Sequence, residues 1–346
     1  MERTGNVLKL DSAELGDLLQ LLKTDLSPRF IHVDLRAMNV EQSFSRIALH
    51  NSVFREAIVT MAQSAYYAYA QRGSVTSFVH ESRLDGLWNP LKDGTYRRAE
   101  DGTVYKLEEP LQTPTRPRLL VLFSSMPPDL FTPSLSRYFT TNFNSIAKFS
   151  NKETYILRIA DVGGVIGNFY LDTLALPKNT QNIGTLIRDV MAQNGVQPED
   201  VVLLGSSKGG TGALYHGVSL GLKFVAVDPI LSDAHYWNKH NDIHFTNNSL
   251  FPRRKDEIFT QLLAQNDIDG AEEGTQCVIY SRRSPQHKYI HDQFLSLTDN
   301  GIFIDVDSPE IKDHPDVAPN ALHVTTTIAT TMLAGVGLKN GRSIVK

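Results

Sequence analysis

Apolar positions along the first third of the chain change spacing several times. Asp11 to Leu22 carries apolar residues at helical spacing, which predicts a helix with Asp11 or Ser12 as N-cap. Phe30 to Leu35 predicts a short strand and Val53 to Ala70 a helix. Between Ser74 and Pro110 the pattern is punctuated by Asp85-Gly86, Asp93-Gly94 and Asp101-Gly102, which predicts short strands and hairpins. Pro110 to Pro117 holds three prolines and reads as an extended linker. Beyond it the register changes to short, wholly apolar runs at Leu119–Phe123, Tyr155–Ile159, Val201–Leu204, Phe224–Val227, Val278–Tyr280 and Ile302–Val306. Such runs suit strands buried on both faces. Helical stretches alternate with them: Ile183–Asn194, closed by Gly195, then Thr211–Leu220, and finally about Ala321–Leu333. Strand–helix alternation predicts a mostly parallel sheet covered by helices on both faces. Residues 234–276 interrupt the alternation and read as an inserted cap. The predicted organisation is a mixed α+β segment over 1–115, which would complete the sheet edge, and an α/β domain over 116–346.

Composition narrows the function classes. The 346 residues include 34 basic and 38 acidic side chains, a formal net charge of −4. A nucleic-acid binder held by phosphate contacts would carry a basic stripe. Cys277 is the one cysteine, which excludes a disulfide framework and a cysteine zinc site. Met1 to Leu26 alternates apolar and acidic residues without a signal-peptide core, and no apolar run approaches the roughly 20 residues of a membrane span. A cytoplasmic location is therefore expected.

The most informative segment is Leu204-Gly-Ser-Ser-Lys-Gly-Gly-Thr-Gly212, between a strand and a helix. Gly205, Ser207 and Gly209 match the nucleophile elbow Gly-x-Ser-x-Gly, in which small residues permit a tight turn that presents the serine above the sheet edge. The Lys208 amide, at the helix start, would then face a developing oxyanion. Lys208 to Gly212 also resembles the opening of a deviant phosphate-binding loop. There the next residues should be lysine and Ser/Thr, whereas this chain has Ala213 and Leu214. A glycine-rich turn without chemistry is the third reading of the same residues.

A serine nucleophile needs a base, and the base an orienting acid. In α/β-hydrolases the order is serine, acid, histidine. His314, in the loop after the last strand, is the preferred base, with His323 as the alternative. The loop after the fifth strand, Ser281 to His287, is the usual place for the acid and contains no carboxylate. Asp228, in Asp228-Pro229 at the end of the preceding strand, ranks first, as the pancreatic-lipase family places its acid there; Asp233 and Asp292 follow. Ser125 or Met126, after Leu119–Phe123, would supply the second oxyanion amide. His235, His240 and His244 in the insertion lack the spacing of a structural zinc site, so no metal is expected. Asp161, Asn168 and Asp172 flank a loop over the same sheet edge. Arg253, Arg254 and Lys255 form a short basic patch that would meet an anionic polymer or a carrier phosphate.

Leu120-Val-Leu-Phe-Ser-Ser-Met126, Tyr155-Ile-Leu-Arg-Ile-Ala-Asp161, Gly167-Asn-Phe-Tyr-Leu-Asp-Thr173 and Gly205-Ser-Ser-Lys-Gly-Gly-Thr-Gly-Ala-Leu-Tyr215 together resemble the capsular-polysaccharide biosynthesis proteins of XcbB/CpsF type. The resemblance covers about Leu119 to Asp233. It implies an α/β-hydrolase-like fold and a role in assembly or modification of a bacterial surface polysaccharide at the cytoplasmic side. The expected function is a serine-dependent acyl-transfer enzyme, an O-acetyltransferase or esterase, with Ser207, His314 and Asp228 catalytic and the Ser125 and Lys208 amides as oxyanion hole. No resident cofactor is expected; acetyl-CoA is a candidate acyl donor, and the substrate or partner a capsular polysaccharide, a small acyl ester or other capsule enzymes. The alternatives are a non-catalytic hydrolase-fold partner of a capsule glycosyltransferase and a nucleotide-binding protein.

Overall fold

The computed structural model describes residues 1–24, 28–38, 42–247 and 250–346. The end of the Met1–Leu26 segment and two residues of the 234–276 insertion thus lie outside the described residues.

A first sheet contains β1 (Glu2–Thr4), β2 (Val7–Asp11), β3 (Phe30–Asp34), β4 (Tyr66–Arg72) and β5 (Val75–His80), in the order β1-β2-β3-β5-β4. Leu8, Leu10, Ile31, Val33 and Phe78 from its strands meet Leu15, Leu18, Phe44 and Phe54 from its helices in one core. Asp11 is the expected cap: it accepts from the Ala13 amide and forms a reciprocal box with Glu14. The helix expected over Val53–Ala70 is shorter, Ser52–Gln63. Ala65, at φ +58°, reverses the chain, and the aromatic-rich Tyr66–Arg72 becomes a strand.

The second sheet has nine strands: β6 (Arg97–Arg98), β7 (Val104–Glu108), β8 (Arg118–Phe123), β9 (Thr154–Ile159), β10 (Val201–Ser206), β11 (Lys223–Val227), β12 (Gln276–Tyr280), β13 (Ile302–Val306) and β14 (Gly341–Val345). Their order is β14-β13-β12-β11-β10-β8-β9-β7-β6. β8 to β14 pair in parallel, while β7 joins β9 and β6 joins β7 antiparallel. This is the α/β-hydrolase fold. The line drawn from sequence at 115/116 falls between β7 and β8, inside this one sheet.

Alternating side chains feed two cores. Leu119, Val121 and Phe123 point to one face, under the helix Asn179–Asn194 and the helix Lys208–Leu220. Leu120 and Leu122 point to the other, under Leu322–Leu333. Gly195 takes the left-handed conformation expected of a C′ glycine, φ +65°. β14 escapes the sequence pattern because its residues are all exposed and carry no apolar run. The 234–276 insertion divides in two. Ala234–His240 lies at the cavity described below, whereas Lys255–Gln265 packs Phe259, Leu262 and Leu263 into the sheet's own core.

β8 and β10 are neighbours, but the chain leaves β8 toward β9 on one side and returns to β10 on the other. Loops from these two strands therefore diverge, and a crevice opens at their carboxyl ends, where open α/β sheets bind ligands.

Behind that crevice His216 is buried, stacked on Phe123 at 5.6 Å, with Nε2 3.2 Å from the Tyr170 carbonyl oxygen. Burial pushes its pKa down to about 4. The unfolded chain takes up this proton near pH 6.5 and the folded chain only near pH 4, so stability is lost as pH falls through that window. The loss from this group is about 3 kcal/mol by pH 4. His244, also buried and pushed down, acts in the same direction. Urea midpoints should fall between pH 7 and pH 4.5, and less steeply in His216→Gln; equal slopes would refute the assignment.

Candidate active site

The turn from β10 into Lys208–Leu220 sets Ser207 at φ +55°, ψ −121°, a conformation costly for any residue with a Cβ. The glycines around it have no alternative. A Cβ on Gly205 would collide with the Gly209 carbonyl, and one on Gly209 with the Phe123 carbonyl of β8. The Ser207 amide donates to Val227 O at 2.8 Å and the Thr211 amide to Ser207 O at 3.0 Å, fixing the turn between β11 and the helix.

The structure brings Ser207, His314 and Asp228 together. Ser207 Oγ lies 2.7 Å from His314 Nε2, and His314 Nδ1 lies 2.7 Å from Asp228 Oδ2. The Asp228 contact makes Nδ1–H the donor, which leaves Nε2 as acceptor for the serine proton. Asp228 is buried at the end of β11 with φ +42°, a conformation Asp tolerates, and its amide donates to Ile279 O at 2.7 Å. Asp313 holds the histidine loop by accepting from the His314 amide at 2.7 Å.

The other candidates lie elsewhere. Asp233 forms a buried ion pair with Lys255 at 2.6 Å. Asp292 is exposed beside His291, and His323 is exposed on the last helix. Asp172 accepts from the Thr180 amide and hydroxyl, serving the helix Asn179–Asn194. Asn168 donates to the Val162 carbonyl within its own loop. Lys255 is not part of a basic surface patch: its ammonium sits 3.5 Å over the Phe169 ring. Arg254 pairs with Asp256 and covers Trp237, and Arg253 donates to Gln261.

The two oxyanion candidates differ. The Lys208 amide opens the helix and has no intrahelical acceptor. The Ser125 amide donates to Asn142 Oδ1 at 3.1 Å, while Asn142 Nδ2 donates to Ser125 Oγ at 2.6 Å. The neighbouring Met126 amide makes no hydrogen bond among the described residues.

The Lys208 side chain is turned inward, fully buried, with Nζ 3.0 Å from Asp161 Oδ2. A phosphate-binding loop would need this ammonium free, so the nucleotide reading loses its cation. Asp161 in turn accepts from the Phe169 and Tyr170 amides, both at 3.0 Å, and these two residues stand at φ +57° and +61°.

Two groups have no counterpart in the sequence reading. Ser284 Oγ donates to Asp228 Oδ2 at 2.6 Å from the very loop that lacks a carboxylate. A search for acids alone passes over a hydroxyl that serves one. Tyr236, buried, packs against His244 with ring centroids 4.0 Å apart and planes tilted by 44°, and stands 6.4 Å from the His314 ring. These rings wall a cavity of about 670 Å³ that reaches Ser207 and His314. Burial pushes the pKa of His235 and His244 down and that of Tyr236 up, keeping all three uncharged. Among the described residues no three His, Cys, Asp or Glu side chains are grouped as metal ligands, and no helix is long and apolar enough to cross a membrane.

No protein-family model matches the chain, and no curated protein matches it. Solved structures do. A chain of the glycosylation-associated protein (Gap123) complex of Streptococcus agalactiae aligns over 76% of this chain and 50% of its own length, with 16% identity and a TM-score of 0.50. This protein thus spans half the length of that chain. The fluorophosphonate-binding serine hydrolase F of Staphylococcus aureus aligns over 69% of this chain and 96% of its own, with 13% identity and a TM-score of 0.48. The capsule O-acetyltransferase of Neisseria meningitidis serogroup A aligns over 67% and 93%, with 17% identity and a TM-score of 0.44. At such identities the likeness is one of fold.

Proposed function

We propose that the protein is a serine-dependent acyl-transfer enzyme of α/β-hydrolase type. The observation that carries this reading is the unbroken chain of 2.7 Å contacts from a strained Ser207 through His314 to buried Asp228, at the base of a cavity. Ser207 Oγ attacks the carbonyl carbon of an ester or thioester, and its proton passes to His314 Nε2. The tetrahedral oxyanion takes the Lys208 amide and a second amide from the loop after β8. That is Met126 as the structure stands, or Ser125 once Asn142 is displaced. Collapse expels the alcohol or thiol with the proton from His314 and leaves an acyl-serine. A second hydroxyl, from a sugar or from water, then attacks the acyl carbon; its proton goes to His314 and from there to Ser207 Oγ. Asp228 stays ionised and holds the ring.

The resemblance to XcbB/CpsF-type proteins supports a surface glycan as acceptor and a cytoplasmic setting beside other capsule enzymes. An activity-based test separates this from a non-catalytic scaffold. A fluorophosphonate should add once to the native protein, on Ser207, by intact mass and peptide mapping, and not at all to Ser207→Ala. An unlabelled native protein, or equal labelling of the variant, would refute the reading. Acetyl transfer to capsule oligosaccharide then decides between transferase and hydrolase.

A further inference from the structure

The cavity at Ser207 is lined by Met126, Leu130, Phe143 and Leu322 and by Tyr236 with His235, His240 and His244. Among the described residues lining it, none is lysine or arginine. Its carboxylates are Asp228, committed to His314 and Ser284, and Asp313. Of the cations in the basic patch, Lys255 is buried against Asp233, Arg254 is paired with Asp256, and Arg253, bonded to the neutral Gln261, is not among the residues lining the cavity; Lys208 is buried against Asp161.

A negative charge carried into this space would lose its water without gaining a cation, and would sit beside Asp313. A neutral group would lose little and gain apolar contact with Met126, Leu130, Phe143 and Leu322. The volume, about 670 Å³, is of the size that takes a whole small ligand, not only an acetyl group.

Resting on the acyl-transfer reading, we infer that this site takes uncharged esters with an apolar portion and rejects substrates that bring an anionic group into the cavity. The pyrophosphate of a coenzyme A donor, or the acid groups of an anionic capsule, must then remain outside it.

Three 4-nitrophenyl esters with one leaving group test this at pH 8: the hexanoate, the adipic acid monoester, and the methyl ester of that monoester, which is polar but neutral. Corrected for uncatalysed hydrolysis, kcat/KM for the hexanoate and the methyl adipate should agree within about threefold, with the free acid at least about tenfold lower. Leu322 is 46% exposed at the rim, so Leu322→Lys should fold normally. It should raise the ratio of kcat/KM for the free acid to that for the methyl ester about fivefold, whatever apolar contact the neutral esters lose with Leu322. Equal rates for acid and methyl ester, or no turnover of any ester while Ser207 is still labelled by a fluorophosphonate, would overturn this inference alone. Failure of that labelling would overturn the acyl-transfer reading beneath it.

Discussion

Asp228→Asn should lower kcat by about 10⁴ while leaving fluorophosphonate-independent properties such as the folded circular-dichroism spectrum intact; the same exchange costs a Ser-His-Asp protease about that factor. The reason is geometric. His314 Nδ1 faces Asp228 Oδ2 at 2.7 Å, and a carboxylate accepts there. An amide side chain rotated to present its NH₂ would instead donate to an unprotonated Nδ1, which moves the ring proton to Nε2 and removes the acceptor that Ser207 needs. Asn also tolerates the φ of +42° at this position, so the fold should survive. Ser284 offers a second arm. Its Oγ is 2.6 Å from the same Asp228 oxygen, so the loop after β12 already touches the acid's place. Asp228→Asn/Ser284→Asp should recover at least about tenfold in kcat over the single variant, since a carboxylate from that loop would orient the ring again. A single variant within about tenfold of wild type would show that Asp228 is not the orienting acid.

The strands of the nine-stranded sheet were legible because burial on both faces forces unbroken apolar runs, as in Leu119–Phe123 and Val201–Leu204. Helix ends were legible where a cap or a C′ glycine is required, as at Asp11 and Gly195. β14 was not, because an edge strand needs no apolar run on either face, whereas the hairpin of β6 and β7 was legible only through its turn at Asp101-Gly102. The positions of Ser207, His314 and Asp228 followed from sequence through topology. Ser207 and Asp228 directly follow the parallel strands β10 and β11, His314 lies in the loop after β13, and chain order then limits the candidates. What topology could not convey was where long side chains turn. Lys255 and Lys208 look like surface or ligand cations in the sequence, yet each is drawn inward by one aspartate, Asp233 and Asp161, far away along the chain. The same blindness hid Ser284, whose role depends on a carboxylate arriving from another strand.

Lys208→Met should destabilise the protein by about 3–5 kcal/mol, because it leaves the Asp161 carboxylate buried without its cation. Both side chains are fully buried and their charged atoms are 3.0 Å apart. Urea unfolding measures the loss, and Asp161→Asn in the Lys208→Met background should return a large part of it by removing the uncompensated charge. Additive losses in this cycle would refute a direct ionic coupling. Lys208 also couples stability to the site. Asp161 binds the amides of Phe169 and Tyr170 and so holds both at positive φ. The Tyr170 hydroxyl in turn donates to Ser124 O at 3.0 Å and Ile159 O at 3.1 Å. The Lys208 side chain thus reaches, through one carboxylate and one tyrosine, the loop after β8 that is proposed to supply the second oxyanion amide. Within the folded fraction at low temperature, Lys208→Met should therefore lower kcat more than it raises KM, since a misplaced oxyanion donor is felt in the transition state and not in ground-state binding. Unchanged kcat in a fully folded variant would confine the ion pair to stability.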